Sequence, residues 1–331
     1  MRPLTNLIFI FLITTGFYLT GCKPKADSNQ EPVVKTTSGY ISGSFNDSVY
    51  AFKGIPYAKA ERFMPPQDPD VWEGILECID FGPVAKQIVP WYPDSVQNEK
   101  KLFTVNVWTQ GIMDGKKRPV MLWLHGGGFH VGASNDPMTY GEALAKKGDV
   151  VFVSVNHRLN ILGFLDLSAF GEKYAKSANV GMLDIVKALE WIQNNIESFG
   201  GNPLNVTIVG ESGGGGKVGT LMCMPSAKGL FHKAIIQSGT LLNTMTKEKS
   251  QALGLAVLEN LGLTPYEVEK LDTIPYKILV EAGNDAIAKI SGPRKPGSPR
   301  MFGFAPSADG VVLLQQPFSP GFADISNDIP L

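Results

Sequence analysis

The chain has 331 residues, of which 44% are apolar, and a formal net charge of -1. This charge balance argues against a nucleic-acid binder, because binding a polyanion needs a basic surplus or a basic stripe. The apolar content excludes a largely disordered chain. The length fits one large α/β domain or two smaller domains, and the 36 glycines and 23 prolines favour many sharp connections between strands and helices.

The first 22 residues have the pattern of an export signal. Arg2 supplies a positive charge, residues 7–19 are mostly apolar, and Leu19-Thr20-Gly21-Cys22 ends the segment. The apolar run is too short and too interrupted for a membrane span, so it predicts a secretory signal. Leu-Thr-Gly-Cys resembles the lipobox of bacterial lipoproteins, and this resemblance implies that Cys22 carries a lipid. The alternative is an ordinary signal in which the cysteine falls there by chance.

These patterns divide the chain into three predicted parts. Residues 1–22 form the lipoprotein signal peptide, residues 23–31 form a polar, flexible tether, and residues 32–331 form the folded domain. A lipid on Cys22 makes the membrane a partner of the protein. It also predicts an exported protein, anchored on the periplasmic or cell-surface side of a bacterial membrane.

Two further cysteines, Cys78 and Cys223, lie in the predicted domain. An exported protein can join them in a disulfide. We favour two buried free thiols, because Cys223 lies in an apolar stretch that reads as internal. The sequence contains no Cys-x-x-Cys and no His-Glu-x-x-His spacing, so no metal site is predicted.

Four short apolar runs predict strands, at residues 120–124, 150–155, 206–209 and 234–237. Continuous apolar runs are typical of strands buried on both faces, hence of a mostly parallel sheet flanked by helices. Apolar residues recur every three or four positions over about 181–198, which predicts a helix ended by Gly200-Gly201-Asn202-Pro203. Residues 247–288 read as mostly helical, in an excursion beside a substrate entrance. Alternating strands and helices indicate an α/β fold.

The sequence Gly210-Glu211-Ser212-Gly213-Gly214 has the form G-x-S-x-G between a predicted strand and a predicted helix. Such a turn lifts the serine hydroxyl above the edge of the sheet, and the glycines remove side chains that would clash in it. The amide dipoles of the following helix favour negative charge that develops at the serine. This context predicts a nucleophilic serine.

A second glycine-rich segment, Leu124 to Phe129, begins where another predicted strand ends. Its backbone N–H groups, together with the N–H of Gly213, are suited to bind the oxyanion of a tetrahedral intermediate. The alternative is a phosphate cradle. The sequence has neither a P-loop nor a dinucleotide-binding fingerprint, which disfavours nucleotide binding.

These motifs resemble the type-B carboxylesterase family, which includes cholinesterases and bacterial para-nitrobenzyl esterases. The order and spacing of the matching segments agree almost throughout the predicted domain; the segments are 52–58, 62–63, 124–129, 156–159, 163–164, 194–196, 199–203, 210–214, 229–231 and 237–239. The resemblance implies an α/β-hydrolase fold, a carboxylic ester substrate and no cofactor. It implies Ser212 as the acyl-forming nucleophile, Gly127, Gly128 and Gly213 as the oxyanion hole, and Glu211 as a supporting residue.

A serine nucleophile needs a base and an acid that orients the base. In α/β-hydrolases both follow the serine along the chain, and the only histidine after Ser212 is His232. His232 directly precedes a predicted strand and reads as structural. His125, His130 and His157 belong to loops and are not credible bases. Residues 328–331 resemble the start of the family strand that precedes the acid. We therefore expect an N-terminal portion of the family domain, without its acid and base and nearly inactive alone; a genuine short variant is the alternative.

Three functions fit these motifs to different degrees. The first is a carboxylesterase. The second is a non-catalytic module for recognition at the cell surface, because the same fold serves both purposes. The third is an amidase or another acyl transferase, because the nucleophile does not select the leaving group. Ser212 and the two glycine motifs favour the first.

Lys217 departs from the pattern, because a small or apolar residue is expected in the helix after the nucleophile. A solvent-facing lysine is harmless there, whereas a core-facing lysine is costly. The sequence leaves both possibilities open.

Overall fold

The computed structural model describes residues 31–239, 243–291, 303–319 and 323–331. The predicted signal peptide with Cys22, and all of the predicted tether except Glu31, lie outside these residues. Among the described residues, no helix is long and apolar enough to cross a membrane.

The described residues form twelve strands, six α-helices and several short 3-10 helices. The strands are β1 (Val33–Lys35), β2 (Tyr40–Ser42), β3 (Ser44–Asn46), β4 (Val49–Pro56), β5 (Ile75–Glu77), β6 (Thr104–Thr109), β7 (Arg118–Leu124), β8 (Val151–Val155), β9 (Gly201–Glu211), β10 (Lys233–Gln237), β11 (Met245–Thr246) and β12 (Ser307–Ala308). The α-helices are α1 (Glu142–Gly148), α2 (Asn160–Phe164), α3 (Val180–Asn195), α4 (Gly213–Leu221), α5 (Lys247–Asn260) and α6 (Tyr276–Ser291).

A seven-stranded sheet in the order β10-β9-β7-β8-β6-β4-β3 forms the centre of the fold. The four strands predicted from apolar runs are β7, β8, β9 and β10, and they pair in parallel. The strands β6, β4 and β3 continue the sheet in antiparallel fashion. The sheet is therefore mixed, and its parallel half is the part that the sequence predicted.

Alternate residues along the strands pack on opposite faces of the sheet, as the pleat requires. On one face, Trp108, Phe152 and Ala145 of α1 belong to a small apolar cluster. Val107, Val153 and the α3 residue Ile192 belong to the main core. Helix α3 matches the predicted helix, and a short 3-10 helix, Ile196–Phe199, completes its span.

The predicted helical excursion consists of α5, a 3-10 helix (Pro265–Asp272) and α6. Helices α5 and α6 pack against each other, and α6 also contacts α2. Arg62 fastens the excursion to the rest of the fold, because its guanidinium donates to the carbonyls of Leu271 and Ile274 and pairs with Glu99 at 2.9 Å.

Cys78 and Cys223 are both free and buried, which confirms the preferred interpretation of the sequence. Cys223 Sγ donates to the carbonyl of Pro317 at 3.3 Å. Burial raises the pKa of Cys78 to about 12 and the pKa of Cys223 to about 11.

Candidate active site

Ser212 lies in the turn between β9 and α4 and is exposed. Its dihedral angles, φ 54° and ψ -118°, place a non-glycine residue in a strained region. The N–H of Ser212 donates to Gln237 O at the end of β10 (2.8 Å), and the N–H of Gly216 donates to Ser212 O (3.1 Å). The strand, strained turn and helix follow in the order that the sequence pattern predicts.

Glycines allow the backbone segments around this turn to approach one another closely. A Cβ at Gly214 would overlap the carbonyl of Leu124 at the end of β7, and a Cβ at Gly239 would overlap the carbonyl of Ser212. Such close approaches are available only to residues without a side chain. The turn is therefore held between β7 and the segment after β10.

We call the segment from His125 to Gly132 the oxyanion loop. Its residues Gly127, Gly128 and Gly132 have left-handed φ angles of 85°, 66° and 111°. The backbone of Gly128 lies directly against Gly213, where a Cβ would overlap it. The three predicted oxyanion-hole residues are thus neighbours in space. Among the bonds between described residues, none is donated by their N–H groups, so these donors are open to a ligand.

The exposed side chain of Glu211, which precedes the candidate nucleophile, reaches toward the same loop. Its Oε2 would lie 3.0 Å from a Cβ placed on Gly126. Glu211 thus contacts the start of the oxyanion loop. Its supporting role stays a prediction.

A cavity of about 810 Å³ opens over Ser212, Gly127 and Gly128. Its other walls are mostly apolar and include Ile88, Ile161, Tyr276, Val280, Ile287 and Phe304. Three of these residues lie on one face of α6, at positions 276, 280 and 287. The predicted helical excursion therefore borders the candidate site, as the sequence suggested.

The histidines have separate roles. His130 lines the cavity, and burial lowers its pKa. His232 pairs with Val206, both through its own N–H (2.8 Å) and through Nδ1 (3.2 Å), as expected of a structural residue. Within the described part of the chain, no hydrogen bond joins a histidine to the Ser212 hydroxyl. The predicted lack of a base remains a prediction.

Asn160 supports the oxyanion loop and was not predicted from the sequence. Its N–H donates to Phe129 O (2.7 Å), and its Nδ2 donates to His130 O (3.2 Å) and Lys86 O (2.9 Å). Its φ of 48° is a conformation in which asparagine is enriched. The only sequence feature that pointed to Asn160 is its position directly after segment 156–159, which resembles the family.

Lys217 faces the core and is fully buried. Its Nζ donates to the carbonyl of His125 at 2.8 Å. The sequence left open whether Lys217 faces solvent or the core. The structure shows that it faces the core, which is the costly arrangement.

Solved structures resemble this fold closely. A carboxylesterase of Geobacillus stearothermophilus superposes with a TM-score of 0.79 at 41% identity, over 90% of this chain and 60% of that one. An esterase of the anaerobe Clostridium hathewayi that can hydrolyze aliphatic aromatic polyesters superposes with a TM-score of 0.82 at 41% identity, over 92% and 62%. The predicted α/β-hydrolase fold is confirmed.

Curated relatives agree with the structural comparison. The chain is 37% identical over 307 residues to the para-nitrobenzyl esterase of Bacillus subtilis (strain 168), covering 90% of this chain and 61% of that protein. It is 35% identical over 263 residues to the phenmedipham hydrolase of Pseudarthrobacter oxydans, covering 76% and 51%. The chain thus spans half to three fifths of their length. Residues 30–327 match the model of the carboxylesterase family, and the chain belongs to that type-B carboxylesterase family.

Proposed function

We propose that the protein hydrolyses carboxylic esters through an acyl-enzyme on Ser212. The hydroxyl of Ser212 attacks the ester carbonyl, and the N–H groups of Gly127, Gly128 and Gly213 bind the oxyanion that forms. Collapse of the tetrahedral intermediate expels the alcohol and leaves the acyl group on Ser212. Water then releases the acid and restores the serine.

The observation that carries this proposal is the shared cavity of Ser212 and the two oxyanion-loop glycines. A strained serine at the start of a helix, with open backbone donors beside it, is the arrangement that acyl transfer needs. The mostly apolar walls suit an ester with an apolar acyl or alcohol group. The relatives named above are also esterases or hydrolases.

We assign no residue to proton transfer, because no hydrogen bond between described residues joins a histidine to the Ser212 hydroxyl. A serine without a base reacts slowly. In proteases that have lost their triad, the oxyanion hole and substrate binding still accelerate the reaction roughly 10³- to 10⁴-fold over the reaction in water. We therefore propose that the chain of 331 residues turns over esters slowly, and that this slow reaction depends on Ser212.

A fluorophosphonate and para-nitrophenyl acetate test this proposal on the full chain. We expect the phosphonate to modify Ser212 alone, as read by peptide mapping, and ester hydrolysis to exceed the Ser212→Ala rate. Ser44→Ala, in a strand at the opposite edge of the sheet, is the matched control and keeps the activity. Equal rates in wild type and Ser212→Ala, without modification of Ser212, would favour a binding module.

We also propose that Cys22 carries a lipid that anchors the protein to a bacterial membrane on the periplasmic or surface side. The lipobox-like sequence Leu19-Thr20-Gly21-Cys22 supports this. In a bacterial host supplied with a labelled fatty acid, we expect the wild type to incorporate the label and Cys22→Ala to lose all of it. Label retained by Cys22→Ala would contradict the anchor.

A further inference from the structure

Lys217 of α4 is a buried cation that the proposed reaction does not use. Lys217 is 0% exposed. Its two polar contacts with described side chains or backbone both go to His125: Nζ donates to the carbonyl at 2.8 Å and lies 3.5 Å from Nδ1. No salt bridge between described residues includes Lys217. Burying an ammonium without a carboxylate is costly, so an apolar side chain would be more stable here.

His125 is the first residue of the oxyanion loop, and its side chain is also fixed. Its ring Nδ1 donates to Gly126 O at 2.8 Å, and the ring fills the space beside Gly132 where a Cβ would stand. The ring stacks on His157, with centroids 5.1 Å apart, and His157 Nδ1 donates to Arg158 O. Burial, and then the charge of Lys217, lower the pKa values of both histidines well below 6.5. Both rings are therefore neutral.

The second half of the loop is held by Asn160, which bonds to the carbonyls of Phe129 and His130, and by Gln87, which bonds to the N–H and the carbonyl of Gly132. The first half, up to Gly128, follows His125. Three of its eight residues are glycines with left-handed φ, and a glycine has no side chain with which to pack. The contacts of the remaining residues therefore set where the N–H groups of Gly127 and Gly128 lie. His125 holds the beginning of the loop, and Lys217 is the side chain that bonds to its carbonyl.

We propose that Lys217 is a positioning residue that fixes the oxyanion loop through the carbonyl of His125, and so keeps the N–H groups of Gly127 and Gly128 beside Ser212. Burial lowers the pKa of Lys217 to about 7, and both its charged and its neutral forms keep an N–H for this bond. Lys217 is not placed to act as the base for Ser212, because its polar contacts among the described residues run to His125 and not to Ser212. The catalytic consequence rests on the proposed function, whereas the structural consequence does not.

Hydrogen exchange of the full chain tests the structural part. Lys217→Met keeps the length of the side chain and removes the donor. We expect the bonded loop amides of His130, Val131 and Gly132 to exchange at least about tenfold faster in Lys217→Met than in the wild type. Thr220→Val is the matched control, because Thr220 is also buried in α4, and the one side-chain bond it makes to a described residue goes to Gly216 O of its own helix. We expect its loop exchange to match the wild type.

Kinetics test the catalytic part. In Ser212-dependent ester hydrolysis, we expect Lys217→Met to lower kcat about tenfold at unchanged KM, because an oxyanion donor acts in the transition state. Unchanged loop exchange in Lys217→Met, or equal acceleration in Thr220→Val, overturns the proposal whatever the activity. If wild-type hydrolysis does not depend on Ser212, the ester function fails, and hydrogen exchange alone decides whether Lys217 positions the loop.

Discussion

Lys217→Met is expected to be more stable than the wild type at pH 6 and to lose this advantage as the pH rises to 10. Burial lowers the pKa of Lys217 from 10.5 to about 7. Between these values the unfolded chain holds a proton that the folded chain does not, so wild-type stability rises with pH. The difference of about 3.5 pKa units corresponds to about 5 kcal/mol at about 1.4 kcal/mol per unit. Below pH 7 both states are protonated, and the full penalty for the buried charge applies.

Urea unfolding at pH 6, 8 and 10 measures this difference. The free energy of unfolding of the wild type relative to Lys217→Met should increase by about 4 kcal/mol between pH 6 and pH 10, somewhat less than the full difference, because pH 10 still lies below the pKa of 10.5 of the unfolded lysine. Burial, and then the charge of Lys217, hold the pKa values of its neighbours His125 and His157 well below 6.5. Thr220→Val should follow the wild type at a constant offset. A wild type and a Lys217→Met variant that stay equally far apart at all three pH values would show that Lys217 keeps an ordinary pKa.

Gly214→Ala is expected to lower the free energy of unfolding by about 3 kcal/mol, at the upper end for overpacking. Its Cβ would overlap the carbonyl of Leu124, and a backbone carbonyl cannot swing aside as a flexible side chain does. Helix α4 would have to move away from β7, which also displaces Ser212 and lowers any activity that depends on it.

Gly219→Ala in the same helix is the matched control for Gly214→Ala. Its Cβ would meet Phe318 at 3.7 Å, an ordinary contact, and alanine favours a helix by about 1 kcal/mol over glycine. Thermal unfolding should therefore separate the two variants clearly, with Gly219→Ala at or above the wild type. If Tm fell equally in both variants, the overlap between a Cβ at Gly214 and the carbonyl of Leu124 would not be the cause of the destabilisation.

The sequence predicted the elements whose signals are local. The apolar runs at 150–155 and 234–237 correspond to β8 and β10 within a residue. Strand β8 is buried throughout, as such a run predicts, whereas β10 is largely exposed among the described residues, so burial on both faces was a wrong prediction for that strand. Strand β9 begins at Gly201, five residues before the predicted run, since Gly201 pairs with Arg118 despite its turn-like sequence. The backbone of Gly201 can pair in the sheet whatever side chains surround it, so the polar residues at the start of β9 gave no strand signal.

Strand β6 shows why the antiparallel half escaped prediction. Its residues 104–107 alternate between polar and apolar, which is typical of a sheet with one face in water, yet the whole strand is buried. Asn106 is accommodated because its side chain bonds to Ser134, Ser154 and the Gly54 N–H. Those partners are distant in sequence, so the residues around Asn106 do not reveal that its side chain is buried and bonded. Lys217 is similar, since its acceptor, His125, lies 92 residues away.

The two buried thiols have a practical consequence for preparing the protein. Thiol oxidation and disulfide exchange proceed through the thiolate, and at pKa values of about 12 and 11 almost none forms near neutral pH. Cys78 and Cys223 are also free, so neither residue needs an oxidant or a disulfide isomerase to reach the state seen in the described part of the chain. Production in the reducing cytoplasm of an expression host leaves both residues in the state that the native structure holds.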